Sequence, residues 1–243
     1  MEISTLPIST LHVRGNRFDL LSRMAEDLAH EIKNPLHAMV INLELARRRA
    51  VAGAGDAVLH RVDLVEAEVA RVHQVVGGLL RLMRPPGADT AVAVDTALEE
   101  LRPLIEAWAR PDRVGVSWAI PAYAGAPIEA HIPPHAFDQV ILNVVANAFE
   151  AMRPRAGRIH FELDDTGDEI LLDIRDSGPG LSTEAAANFG VIGYSTRPGN
   201  AGLGIAVARS LLEADGGRLD LHDPGTNGAG ATVRITLRRV ESA

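Results

Sequence analysis

Apolar residues recur at helical spacing through the first third of the chain. Between Leu21 and Ala46 they follow one another at steps of three and four residues. Between Val58 and Met83 they step 4-3-4-3-4-3-4 without a fault. Such spacing is typical of a helix that buries one apolar stripe, and a strict heptad is typical of helix–helix packing. The pattern therefore predicts two long helices, joined by a tight turn at residues 53–56.

The predicted hairpin leaves its apolar stripe uncovered. We expect its first helix at about residues 16–52, with a kink at Pro35, because proline lacks an amide donor and clashes with the preceding turn. Two hairpins related by a two-fold axis would bury both stripes in a four-helix bundle. The stripe would otherwise pack on a second domain of the same chain. Coiled-coil spacing favours helix–helix partners, so we predict a homodimer.

After residue 84 the periodicity changes, and segments of alternating polarity interleave with helical ones. A stretch rich in proline and glycine at residues 84–89 predicts a linker. Interleaved strands and helices indicate an α/β sandwich. The predicted strands are residues 114–120, 128–132, 158–163, 169–175, 219–222 and 231–238, and the predicted helices are 94–109, 134–152 and 202–214. The chain divides into a lead-in (1–15), a helical hairpin (16–84), a linker (85–91) and an α/β domain (92–243).

Composition excludes several classes of function. The 243 residues carry a net charge of −8, which leaves no basic surplus for nucleic-acid phosphates, so we expect no nucleic-acid partner. There is no cysteine, which excludes disulfides, thiolate catalysis and cysteine zinc sites. Lys33 is the sole lysine, and no Gly-Lys-Ser/Thr sequence occurs, which excludes a P-loop nucleotide site.

Apolar runs are too short for a membrane-spanning helix. None approaches the roughly 18 residues that a bilayer requires. The N-terminus has no basic segment followed by a long apolar one, as a signal peptide would. We therefore expect a cytoplasmic chain without a membrane segment.

A histidine beside an acid lies in the middle of the first predicted helix, in the sequence AHEIKNPL at residues 29–36. His30 is two residues from Leu28 and from Ile32, about 200° of helical rotation, so it points away from the apolar stripe. Asn34 follows one turn later and shares the face of His30. An exposed imidazole is largely neutral near pH 7 and can act as a nucleophile. Taken alone it would be an ordinary surface histidine, so its role depends on a second site.

Three further motifs occur in the α/β region. Asn143 and Asn147 are four residues apart, on one face of a predicted helix. The sequence DSGPG at residues 176–180 ends a predicted strand, and the Gly-Leu-Gly sequence at 202–204 begins a predicted helix. Taken singly, each has an ordinary explanation as satisfied core amides, a turn or a glycine in a loop. Their order along the chain makes them informative.

In that order the motifs resemble the N box and the two glycine-rich boxes of the ATP-binding domain shared by gyrase, Hsp90, MutL and histidine kinases. Residues 29–36 resemble the H-box of bacterial sensor histidine kinases, most closely of their nitrogen-regulation group. The resemblance extends from about residue 16 to the C-terminus. It implies an α hairpin that forms a dimeric four-helix bundle, followed by an α/β sandwich of the GHKL ATPase type.

The resemblance implies a site for ATP and Mg²⁺. Asn147 would be a magnesium ligand supported by Asn143, and Asp176 would accept a hydrogen bond from the adenine amino group. Residues 181–201 would form a lid. Glu150 stands where the family often has a basic residue, so Arg153 and Arg197 are the candidates for holding the phosphates. The other nucleotide-binding positions that the resemblance implies are Gly178, Gly180, Thr196, Gly202, Leu203 and Gly204.

For the H-box the resemblance implies that His30 accepts the γ-phosphoryl group of ATP. Glu31 would orient the imidazole and assist proton removal, and Asn34 would position water for dephosphorylation of a response-regulator receiver domain, the implied partner. The alternatives are a GHKL-type protein-serine kinase, a gyrase- or Hsp90-like ATPase and a non-enzymatic phosphotransfer dimer. The ATPase would need a glutamate where Asn143 stands, and the intact nucleotide motifs argue against the phosphotransfer dimer.

Overall fold

The computed structural model describes residues 10–51, 55–83, 89–121, 127–154, 156–195, 202–223 and 230–240. Its helices are α1 (Thr10–Val51), α2 (Gly55–Met83), α3 (Val94–Ala109), α4 (Pro134–Met152), α5 (Thr183–Ala187) and α6 (Gly204–Ala214). Its strands are β1 (Val92–Ala93), β2 (Gly115–Ala119), β3 (Glu129–Ala130), β4 (Arg158–Asp165), β5 (Glu169–Asp176), β6 (Arg218–Asp223) and β7 (Thr232–Arg238). Among these helices, none is long and apolar enough to cross a bilayer.

The helices α1 and α2 pack against each other as the predicted hairpin. One contact between them is a hydrogen bond of 2.9 Å that Arg61 Nη1 donates to Asn42 Oδ1. Helix α1 begins at Thr10, six residues earlier than expected, because residues 10–15 contain no proline to stop a helix. The lead-in predicted at residues 1–15 therefore ends too late, since residues 10–15 belong to α1. Helix α1 continues through Pro35, and the kink expected there stays a prediction.

The apolar stripe of the hairpin is only partly covered within one chain. On α1, Leu36 is 48% exposed and Leu43 is 52% exposed. On α2, Val62 is 37% exposed and Val69 is 40% exposed. Exposed apolar side chains that recur one heptad apart along a helix are typical of a surface that meets another protein.

The larger sheet has five strands in the order β2-β4-β5-β7-β6. Strand β2 runs parallel to β4, and the other neighbours are antiparallel, including the predicted pair of β4 with β5. Apolar residues alternate on one face, where Phe161 lies opposite Ile174 and Ile174 opposite Val233. This face and the helices α3, α4 and α6 enclose the main core.

The other face of the sheet is polar. The Arg234 guanidinium donates to both carboxylate oxygens of Asp173, with distances of 2.7 and 2.6 Å. This hydrogen-bonded pair raises the pKa of Arg234 above its usual value. The predicted sandwich is thus confirmed, with its core on one side of the sheet.

Helix α1 also packs on the α/β domain, contacting α3, α4 and α6. Met24 and Leu28 are 0% and 1% exposed and belong to the same apolar core as α3 and α4. Leu28 was expected in the bundle seam, but here the α/β domain covers it. The packing places α1 beside α4, which carries the asparagine pair.

Candidate functional site

A cavity of about 780 Å³ opens beside α4. Its wall is formed by α4, the segment after β5, α5 and the start of α6, with a contribution from α1. It therefore brings together the motifs that are far apart in sequence. The predicted site residues in the wall are Asn147, Asp176, Gly180, Gly202 and Leu203.

Helix α4 presents its two asparagines differently. Asn147 is partly buried and lines the cavity. Asn143, one turn earlier, is 1% exposed and lies behind the wall. Among the described residues neither its Oδ1 nor its Nδ2 has a hydrogen-bond partner. Leaving such a group unpaired costs about 1–3 kcal/mol.

Asp176 is held rigidly at the end of β5. Its Oδ1 accepts a hydrogen bond of 2.7 Å from the Gly178 backbone N–H and a longer one of 3.4 Å from that of Ala231. The residue is 9% exposed and lines the cavity. Gly178 is buried and fixes the carboxylate from behind rather than lining the cavity. A carboxylate oriented in this way is suited to accept a hydrogen bond from a ligand donor.

Gly202 closes the base of the loop before α6. Its φ is +63°, and a Cβ there would lie 2.5 Å from the carbonyl oxygen of Tyr194. Only glycine meets both conditions, since other residues rarely adopt this conformation. Gly204 is the first residue of α6, where free backbone amides favour an anion. Thr196 lies outside the described residues.

The described part of the wall is richer in carboxylates than in cations. Asp19, Glu150 and Asp176 contribute carboxylates, and Arg153 is the cation among the described lining residues. The Nε of Arg153 lies 2.5 Å from an oxygen of Asp112. Of the two phosphate-holding candidates, Arg153 thus lines the cavity, and Arg197 lies outside the described residues.

Two wall residues come from α1, in the other half of the chain. Asp19 and Ser22 line the cavity, and Met24 and Leu28 anchor their helix to the α/β core. His30 follows Ser22 by eight residues, about 12 Å along the helix axis. The helix that carries the candidate nucleophile therefore borders the cavity.

The H-box residues lie in the middle of α1. The side chains of His30 and Glu31 are outside the described part of the structure. Asn34 is exposed, as expected for the face opposite the stripe.

Both halves of the chain match known families. Residues 20–87 match the His Kinase A (phospho-acceptor) domain, and residues 133–241 match the histidine kinase-, DNA gyrase B-, and HSP90-like ATPase family. The chain carries the catalytic core of a sensor histidine kinase. The match to this ATPase family implies that the α/β domain binds ATP.

Individual relatives agree with this family. The core is 27% identical to the sensor protein FixL of Bradyrhizobium diazoefficiens over an alignment of 232 positions, which covers 93% of this chain and 45% of FixL. It is 26% identical to the nitrogen regulation protein NtrY of Azorhizobium caulinodans over an alignment of 247 positions, which covers 97% of this chain and 31% of NtrY. The chain thus spans less than half the length of either relative.

A solved structure shows the same fold. The histidine kinase ThkA in complex with the response regulator protein TrrA superposes with a TM-score of 0.51 at 17% identity. The match covers 93% of this chain and 64% of that one. The predicted order of a helical hairpin and a GHKL-type domain is confirmed.

The sequence did not predict every residue in the wall of the cavity. Asp19 and Ser22 carry no motif, and the helical repeat gave no reason to place them at the nucleotide site. Phe189 and Tyr194 also line the cavity, and both lie within the lid predicted at residues 181–201.

Proposed function

We propose that this core transfers the γ-phosphoryl group of ATP to His30, and that the group then passes to an aspartate on a response-regulator receiver domain. One observation carries the proposal. The helix bearing His30 contributes Asp19 and Ser22 to the wall of the nucleotide cavity. The complex of ThkA with a response regulator supports the choice of partner.

The residues of the cavity have distinct roles in this proposal. The Asp176 carboxylate accepts a hydrogen bond from the adenine amino group, since this carboxylate lines the cavity and is held by backbone amides. Asn147 supplies an amide oxygen of the kind that Mg²⁺ prefers. Mg²⁺ held there would take its remaining ligands from phosphate oxygens and water. When bound, Mg²⁺ would neutralise part of the phosphate charge.

In the transfer step an imidazole nitrogen of His30 forms a bond to the γ-phosphorus. The bond from that phosphorus to the β,γ-bridging oxygen breaks, and ADP leaves. Glu31 orients the ring and assists removal of its proton. Positioning and electrostatics supply most of the rate in such reactions. The ATPase domain swings on the linker at residues 85–91 to bring ATP to His30.

Incubation with γ-labelled ATP tests the proposal. A phosphohistidine is labile in acid and stable in base. A label stable in acid would instead favour a GHKL-type protein-serine kinase. Absence of any label together with absence of nucleotide binding would favour a non-enzymatic phosphotransfer dimer.

We further propose that the core is a homodimer joined through the apolar stripe of the hairpin. Changing both Val62 and Val69 to glutamate is expected to convert the dimer to a monomer, with a dissociation constant raised at least about 100-fold, because each charge would be buried without a partner. Sedimentation or light scattering measures the mass. Ala67→Glu is the control, since Ala67 is exposed on the opposite face of α2. A double variant that stays dimeric would place the interface elsewhere.

Asn34 is proposed to position the water that dephosphorylates the regulator. Asn34→Ala is expected to keep autophosphorylation within about twofold and to slow regulator dephosphorylation about tenfold, because a positioned water loses one hydrogen bond. The half-life of the labelled regulator, measured once with the wild-type core and once with the variant core, gives the size of the effect. Equal half-lives with both proteins would reject the role.

A further inference from the structure

A turn in the wall of the cavity packs against an arginine of α6. Phe189 and Gly190 line the cavity, and Arg209, which is not among the described lining residues, contacts both of them. The guanidinium carbon of Arg209 lies 5.9 Å from the centroid of the Phe189 ring. This distance is within the range of a cation–π contact.

Gly190 leaves the space that the guanidinium occupies. A Cβ at this position would lie 2.7 Å from Cζ of Arg209, and 2.8 and 2.9 Å from its two terminal nitrogens. Real Cβ atoms do not approach other atoms so closely, so a side chain at 190 would displace Arg209. The φ of Gly190 is +75°, which also favours glycine. The lack of a side chain at Gly190 therefore makes room for the guanidinium of Arg209.

Helix α6 is a firm support for this contact. Ala206, Val207 and Leu212 are at most 3% exposed and fasten the helix to the core. Ile205 lines the cavity, and Arg209 is one turn further along on the same side of the helix. Arg209 thus ties the turn at residues 189–190 to the helix that starts at the Gly-Leu-Gly motif.

We propose that Arg209 is a positioning residue for the nucleotide. It acts through Phe189 and Gly190, which it fixes as a part of the wall against which the nucleotide packs. When the turn is free to move, nucleotide binding has to order it, and this ordering costs free energy. Bound nucleotide then dissociates faster. The inference rests on the proposed function only in that the cavity binds the adenine nucleotide.

A double-mutant cycle tests this inference, with ADP as the ligand. We expect Arg209→Ala to weaken ADP binding about tenfold, mainly through a faster off-rate, without lowering the unfolding midpoint of the free core. We expect Arg209→Lys to recover part of the loss, because lysine keeps a cation near the ring. Gly190→Ala should weaken binding at least as much as Arg209→Ala. Its further cost should be smaller in the Arg209→Ala background, where the strain of alanine at a φ of +75° remains but no guanidinium has to be displaced.

Arg218→Ala is the control, because Arg218 pairs with Glu169 on the sheet and does not line the cavity. ADP binding by Arg209→Ala within about twofold of the wild type would overturn the inference, and so would losses that simply multiply in the double variant. If Gly190→Ala does not fold, the comparison of Arg209→Ala with Arg209→Lys still decides. Failure of the wild-type core to bind ADP would instead overturn the proposed function itself.

Discussion

His30→Ala is expected to abolish phosphorylation of the core while leaving nucleotide binding unchanged. The expected loss of label is at least about 100-fold, since removing the nucleophile removes the bond-forming atom and not merely a favourable contact. The dissociation constant for ADP should stay within about twofold of the wild type. The last described residue of α1 in the cavity wall is Ser22, about 12 Å before His30 along the helix axis. Autoradiography with γ-labelled ATP and a parallel ADP titration measure the two quantities.

His37→Ala is the matched control for this experiment. His37 is an exposed histidine on the same helix, seven residues after His30. It should retain full label. An undiminished, acid-labile label in His30→Ala would mean that another histidine is the acceptor, and the proposed function would then lose its central residue.

Asp176→Asn is expected to weaken adenine nucleotide binding by roughly 10- to 100-fold. The variant keeps Oδ1, which accepts from the Gly178 N–H at 2.7 Å, so the local backbone should survive. It replaces the other oxygen by an amide donor, which would oppose the adenine amino group. Losing a hydrogen bond to a charged group typically costs about 1.5–3 kcal/mol, which sets the expected range. Calorimetric titration with ADP measures the effect.

Asp220→Asn controls for the loss of one negative charge. Asp220 is exposed on β6 and lies opposite Arg234 on the polar face of the sheet. It should bind ADP normally. The assignment of Asp176 as the adenine-reading residue fails if Asp176→Asn also binds ADP like the wild type, or if GDP binds the wild type as tightly as ADP.

Much of the architecture could be predicted because its signals are local. The alternation of apolar residues predicted β4 and β5 as an antiparallel pair, and the structure places Phe161 of β4 opposite Ile174 of β5. Helical periodicity also predicted α3 and α4 with the bounds that the structure has. Periodicity shows which face of a helix or strand is apolar, and each of these elements is stabilised by burying that face. The short helix α5 was not predicted, since five residues carry too little periodic pattern.

The residues that line the cavity were predictable in part. The residue types of Asn147, Asp176 and Gly202 suit magnesium, a base amino group and a tight backbone turn, and the structure gathers all three around one cavity. Asn143 has the same residue type as Asn147 but lies behind the wall. The sequence places both on one face of a helix and does not say how deep each lies.

The amino-acid sequence by itself determined the two long helices, the alternating strands and the chemistry of the H-box and of the glycine-rich motifs, because each follows from spacing along the chain. Only the tertiary structure decided that Asp19 and Ser22 of α1 border the nucleotide cavity, and that Arg209 supports its wall through Gly190. Both of these contacts join residues that are distant in sequence and depend on how closely two elements approach. That distance is set by the packing of all their side chains together, which no local pattern encodes.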